Sequence, residues 1–296
     1  MTTTFNRRDF LKLGGSALAI AALNPLNSSA DDAPAKKRSI KKAIMYATIA
    51  YKGSVMEKFQ AVKDAGFEGV EPMSHMNRDE VLKALEATGL KAASVCGSYH
   101  WNKPLSDPDA KVRQEGVEAL KRTLEDAKAY GASSVLLVPG KVTKTVSYDD
   151  CFKRSIAEIR KAIPTAEELG VKIAIENVWN DFITKPEQAK AYLDEIDSQY
   201  VGWHFDIGNC LRYSPSEAWI PVLGKRILKL HIKEYGKFKS FNVKFFEGDN
   251  HWAAIMKALD DAGYEGWGIS EQPGDQSKDA AALKDLSQRM DKVFQS

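Results

Sequence analysis

Val171-Lys-Ile-Ala-Ile-Glu176, Val201-Gly-Trp-His-Phe-Asp206, Arg226-Ile-Leu-Lys-Leu-His231 and Gly266-Trp-Gly-Ile-Ser-Glu271 are short apolar runs, each ending on a residue that can ligate a divalent metal. Runs this short, with small or turn-forming residues beside them, read as buried strands. Parallel strands with helices between them carry their C-terminal ends onto one face, so ligands far apart in the chain can converge on one ion. Any one of these residues alone would signify little, since a salt bridge or cap explains it better.

The same alternation extends towards the N-terminus. Residues 43–49, 67–71, 91–97 and 133–139 read as strands, and 54–65, 77–87, 109–130 and 148–169 carry apolar residues at helical spacing, as does the last helix, 279–294. Gly66, Gly89, Gly131 and Gly170 stand where helices end on a left-handed residue. Eight such units over about 250 residues predict an α/β fold, a single (β/α)8 TIM barrel spanning 43–296. The competing layout is a doubly wound open sheet, but the chain has no G-x-G-x-x-G loop of the kind that often accompanies it.

The start of the chain reads differently. Asn6-Arg-Arg-Asp-Phe-Leu-Lys12 precedes an apolar stretch, 13–23, and the small residues Ser28-Ser-Ala30. Charged, apolar and small-residue regions in that order predict a signal peptide over 1–30, and the arginine pair resembles the twin-arginine export type, with Asn6 where that motif usually has Ser or Thr. The apolar stretch is too short for a stable membrane anchor. Residues 31–42, including the basic Lys36-Lys-Arg-Ser-Ile-Lys-Lys42, read as a solvated linker. The expected location is the periplasm or another exported compartment.

The 296 residues carry a formal charge of +2, and residues 1–30 contain Arg7, Arg8 and Lys12 against Asp9, so the remainder is neutral. A neutral body argues against nucleic acid, which demands a basic surface. Cys96, Cys151 and Cys210 are odd in number and lie in or beside apolar runs, so they read as buried thiols rather than a disulfide framework.

Beyond the signal the chain resembles the xylose isomerase-like TIM barrels, the superfamily of sugar isomerases and epimerases that also includes endonuclease IV. The resemblance rests on Ile175-Glu-Asn177, Phe205-Asp-Ile-Gly208, Leu230-His-Ile-Lys-Glu234, Gly248-Asp249 and Gly263-Tyr-Glu-Gly266 leading to Ser270-Glu271. It implies one divalent ion held by Glu176, Asp206, His231 and Glu271, as in the single-metal sugar 3-epimerases. It also implies that Glu176 and Glu271, on the fifth and eighth strands, take and return a proton on opposite faces of a sugar through an enediolate. Three carboxylates and an imidazole suit Mn2+ best, with Mg2+, Co2+ or Zn2+ as alternatives. Asn209 stands where many members have His, and five histidines are too few for a trinuclear zinc site of the endonuclease type.

Further candidates for substrate contact are His100, Trp101, Trp179, Asn180, Asn209 and Lys233. His100-Trp101 reads equally as a packed loop, and Lys233 equally as a salt-bridge partner of Glu71 or Glu234. His204, two residues before Asp206 and on the same side of its strand, reads as a core histidine beneath the metal. His75 and His251 are rim or structural positions. The expected function is a metal-dependent sugar or keto-sugar isomerase or epimerase. A lyase acting on 3-keto-glycosides at the same centre and a sugar-binding barrel without turnover are the alternatives. Expected partners are the sugar and the twin-arginine export machinery, with a homo-oligomer left open.

Overall fold

The structure, a computed structural model, describes residues 38–296. The expected signal, and residues 31–37 of the expected linker, lie outside the described residues. Nine parallel strands form one sheet: β1 (Ile40–Met45), β2 (Gly69–Glu71), β3 (Lys91–Ala92), β4 (Val95–Cys96), β5 (Ser134–Leu137), β6 (Lys172–Glu176), β7 (Val201–Asp206), β8 (Ile227–Ile232) and β9 (Gly266–Ser270). Their order is β3-β2-β1-β9-β8-β7-β6-β5-β4. β3 and β4 are the two halves of one stave interrupted at Ala93 and Ser94, and the Met73–Cys96 bridge joins the end of β2 to β4. The sheet therefore closes as a barrel of eight staves, as expected.

The longer helices outside it are α1 (Val55–Asp64), α2 (Arg78–Thr88), α3 (Ala110–Tyr130), α4 (Tyr148–Leu169) and α5 (Pro186–Ile196). The short α6 (Ile207–Cys210) and α7 (Trp219–Leu223) follow β7, and α8 (Trp252–Asp261) and α9 (Ala280–Gln295) complete the ring. Ser54 with Glu57 and Ser147 with Asp150 form capping boxes that start α1 and α4. Gly131 and Gly170 end α3 and α4 at φ 73° and 65°. A Cβ at either would touch nothing within 4 Å, so backbone conformation, not space, selects glycine there. Among the described residues no helix is long and apolar enough to cross a membrane.

One boundary differs from the sequence reading. β1 begins at Ile40, and two charges of the expected spacer are part of the barrel. Arg38 donates to both carboxylate oxygens of Asp260, at 3.0 and 3.1 Å, and to the Phe294 carbonyl at 2.6 Å. Lys42 is buried, its Nζ on the Ser287 carbonyl at 3.2 Å and on Asp291 Oδ1 at 2.5 Å. Burying an unpaired ammonium would cost several kcal/mol; α9 supplies the acceptors that make this one tolerable.

Strand registers decide what faces the barrel axis. Glu176 pairs with His204, Asp206 with His231, and His231 with Ile269. Ala43, Met45, Cys96, Leu136, Val138 and Ile269 form a small apolar cluster separate from the main strand-to-helix core. Trp267 requires Gly69 beside it, because a Cβ there would sit 2.6 Å from its ring. The thiols of Cys96, Cys151 and Cys210 are free and buried.

Candidate metal centre

Glu176 is the last residue of β6, Asp206 the last of β7, His231 the penultimate residue of β8, and Glu271 follows β9 directly. Barrel closure brings one ligand atom from each within 4.8 Å of the others. His231 Nδ1 lies 2.8 Å from Glu176 Oε1, 3.2 Å from Glu271 Oε2 and 3.9 Å from Asp206 Oδ2. Donors bound to one ion at about 2.0–2.3 Å stand about 3–4.5 Å apart, so this set fits a single divalent cation with mainly oxygen ligands.

Asp206 and His231 are fully buried, Glu176 nearly so, and Glu271 is 20% exposed at its side chain. Asn177 fixes the β6 and β7 ends together: its Oδ1 accepts from Trp203 Nε1 at 3.0 Å and from the Asp206 N–H at 3.1 Å, while its Nδ2 donates to the Asp206 carbonyl at 2.8 Å. Asp206 Oδ1 also accepts the Asn209 N–H at 2.7 Å.

The charges are strongly coupled. Burial pushes the Asp206 carboxyl well up and the Glu176 carboxyl up, the latter against its hydrogen bond to His231. Burial works the same way on Glu271, yet Lys233 and His231 hold its carboxyl well below the usual range. His231 is driven well above an ordinary imidazole, because burial is outweighed by Glu71 and Glu271.

Lys233 has other ion-pair partners than the two read in the sequence. It reaches neither Glu71 nor Glu234 but donates to Glu271 Oε2 at 2.8 Å and approaches Asp206 Oδ2 at 3.5 Å. Glu234 instead holds the loop after β8, accepting from Trp252 Nε1 at 2.7 Å and from the Phe246 N–H at 2.9 Å.

A cavity of about 550 Å3 opens over the centre. Glu176, Glu271, Lys233, His100, Trp101, Trp179 and Asn209 line it, and His75 reaches its rim. Trp179 donates through Nε1 to the Asn209 carbonyl at 3.0 Å and stacks on Phe241 at 4.6 Å between ring centres. Trp101 is half-exposed with His100 edge-on to it, and the buried His100 accepts the Val138 N–H at Nδ1, so it belongs both to the wall and to the packed loop.

Asn180 does not join the site. Its Nδ2 is spent on the Gly140 carbonyl at 2.6 Å and its Oδ1 on the Phe182 N–H at 3.2 Å, which makes it a brace of the loop after β6. His251 is exposed beside Glu217. His204 is buried beneath the centre, with its ring 4.2 Å from that of His231.

Two residues were not read as part of the centre from the sequence. Phe241 is delivered by a long loop that Gln272 pins through the Phe241 and Val243 carbonyls at 2.8 and 2.7 Å. Glu71 closes β2 and meets His231 Nε2 at 2.9 Å. A Gln following Glu271 and a Glu ending an apolar strand were the available signals; neither names its partner.

A family model described as the xylose isomerase-like TIM barrel matches residues 59–293. The chain belongs to this family. The L-ribulose-5-phosphate 3-epimerase UlaE of Escherichia coli strain K12 is 24% identical over 243 residues, 77% of this chain and 85% of that protein. The structure is similar to that of the 3-keto-D-glucoside 4-epimerase YcjR from E. coli, with TM-score 0.72 and 19% identity over 86% of this chain and 98% of the other. It is also similar to D-psicose 3-epimerase from Clostridium cellulolyticum H10, with TM-score 0.68 and 20% identity over 86% and 96%.

Proposed function

We propose that this member of the family is a divalent-metal-dependent sugar or keto-sugar epimerase or isomerase that moves a carbon-bound proton beside a carbonyl. The observation that carries the reading is three carboxylates and one imidazole nitrogen drawn together beneath a cavity of sugar-accommodating size. The epimerase activities named for the E. coli relative and for the similar structures support the same reaction class.

Glu176, Asp206, His231 and Glu271 would hold the ion, with Mn2+ the best match and Mg2+, Co2+ or Zn2+ as alternatives. Such an ion supplies a fixed positive charge that polarises a sugar carbonyl and its neighbouring hydroxyl and acidifies the C–H between them. Glu176 and Glu271 reach the cavity, whereas Asp206 and His231 lie below its lining. The two glutamates are therefore the acid/base pair: one removes the proton and the other returns it to the opposite face. Trp179 and Phe241 offer an apolar wall to the sugar, and Lys233 a donor for one of its oxygens.

Among the described residues no arginine and no second lysine lines the cavity, and Lys233 is already engaged by two carboxylates. That favours a neutral sugar over a phosphorylated one, which would call for an unpaired cation. The twin-arginine-like start agrees with this: we read the protein as exported, away from the cytoplasmic sugar phosphates.

A second reading keeps the centre and changes the outcome. In a 3-keto-glycoside, the same base would take the proton from C2 while the C1–O bond breaks and the departing oxygen gains a proton, which makes the enzyme a lyase. The likeness to a 3-keto-D-glucoside epimerase favours testing it. Mn2+-loaded protein incubated in heavy water with sugars and 3-keto-glycosides separates the cases by mass spectrometry. A deuterated stereoisomer marks an epimerase and released aglycone a lyase. Metal binding with no exchange on any substrate leaves a sugar-binding barrel and ends the enzymatic reading.

A further inference from the structure

Beneath the centre, and sharing His231 with it, lies a second cluster whose other two members, Glu71 and His204, the proposed reaction does not use. Glu71, His204 and His231 each offer a ligand atom within 4.8 Å of the others, and all three are fully buried. Glu71 Oε2 stands 2.9 Å from His231 Nε2. Glu71 Oε1 has no hydrogen-bond partner, and neither does either ring nitrogen of His204, whose Nδ1 is 4.0 Å from Glu71 Oε1. The one hydrogen bond that Glu71 accepts is thus from His231.

The two nitrogens of His231 have separate surroundings. Nδ1 faces Glu176, Glu271 and Asp206, while Nε2 faces Glu71. A neutral imidazole carries one N–H and binds a cation through its other nitrogen. A cation held by the four ligands needs the Nδ1 lone pair, so with the ion bound the proton lies on Nε2, 2.9 Å from Glu71 Oε2. With the proton on Nε2, Glu71 accepts it and the Nδ1 lone pair faces the three ligand carboxylates. A buried carboxylate with one hydrogen bond is costly as a structural element, since that bond does not offset the loss of water around the charge. Orienting His231 gives it a use.

We propose that Glu71 is a positioning residue that sets the tautomer and ring angle of His231 and so completes the metal centre from beneath. The proposal rests on the reading of Glu176, Asp206, His231 and Glu271 as metal ligands. Carboxylates behind a ligating histidine typically contribute about 10–100-fold in metal affinity. The side chain lies 160 residues from its partner in the chain and is absent from the cavity lining. It acts through His231 and touches no substrate.

The test is titration of the metal-free full chain with Mn2+ by calorimetry, and with Co2+ by visible absorption, for the wild type, Glu71→Gln and Glu71→Leu. Circular dichroism and the Tm of the metal-free forms report folding. Glu71→Gln keeps the size of the side chain but loses its charge, and its amide can present either oxygen or N–H to the ring. The expected result is Mn2+ binding weakened about 10-fold in Glu71→Gln and up to about 100-fold in Glu71→Leu, with altered Co2+ bands in both. A wild-type Kd and Co2+ spectrum in a folded Glu71→Gln protein overturns the proposal, whether or not Glu71→Leu folds. Failure of the wild type to bind either metal removes the metal-centre reading itself, which is a different result.

Discussion

Lys233 Nζ lies 2.8 Å from Glu271 Oε2 and 3.5 Å from Asp206 Oδ2, so a buried lysine neutralises two of the four residues of the candidate metal centre. Removing one member of such a buried set costs about 3–5 kcal/mol, because the remaining charges lose their partner. Metal-free Lys233→Met is therefore expected to melt well below the wild type. Mn2+ should raise its Tm by more than it raises that of the wild type, since a competing cation is gone. Calorimetry with chelator and with Mn2+ checks both points, and a metal-free Tm equal to that of the wild type refutes the argument.

Glu176 and Glu271 share His231 Nδ1 as a neighbour, at 2.8 and 3.2 Å, and both reach the cavity. Glu176→Gln and Glu271→Gln should fold normally by circular dichroism and lose about 10²–10⁴-fold in turnover, the usual worth of a positioned acid or base. Deuterium uptake at the substrate carbon is the direct readout. Wild-type exchange in both variants removes the acid/base assignment.

Asn177 ties β6 to β7 through the Trp203 ring and the backbone of Asp206. Truncation in Asn177→Ala strands several buried donors and acceptors at about 1–3 kcal/mol each, partly relieved by relaxation, so a loss of about 3 kcal/mol is expected in urea unfolding. Because Glu176 and Asp206 flank this clamp, Mn2+ affinity should fall with it. Unchanged affinity would mean that the strand ends hold the ligands unaided.

Burial lowers the His100 imidazole to about 4. A histidine that stays neutral when folded and protonates when unfolded contributes stability that is complete above its unfolded value near 6.5 and is lost as pH falls towards 4. His100→Asn keeps an acceptor for the Val138 N–H but does not titrate. The stability of the wild type relative to this variant should therefore shrink by up to about 3 kcal/mol between pH 7 and pH 4. Denaturant unfolding of metal-free protein across that range measures it, and a constant difference contradicts the assignment.

Much of the candidate centre was legible before folding because each candidate ligand closes or directly follows a run of strand residues. Glu176, Asp206, His231 and Glu271 stand at or beside the strand ends where the apolar patterns place them. Asn180 was misread for the same reason: adjacency to Glu176 suggested the pocket, but the turn aims its amide at Gly140. Lys42 was misread as solvated because its basic surroundings resemble a spacer, and only α9, some 245 residues later, supplies its acceptors.

Local pattern alone therefore determined the alternation of strands and helices, the helix ends and the placing of four candidate ligands at strand ends, since these depend on period, turn residues and side-chain type. Tertiary structure decided that Glu71 meets His231, that Lys233 sits between Glu271 and Asp206, and that Phe241 faces Trp179. Such pairings follow from strand register, barrel closure and the path of long loops. Those are fixed by packing between distant segments, which no short stretch of sequence encodes.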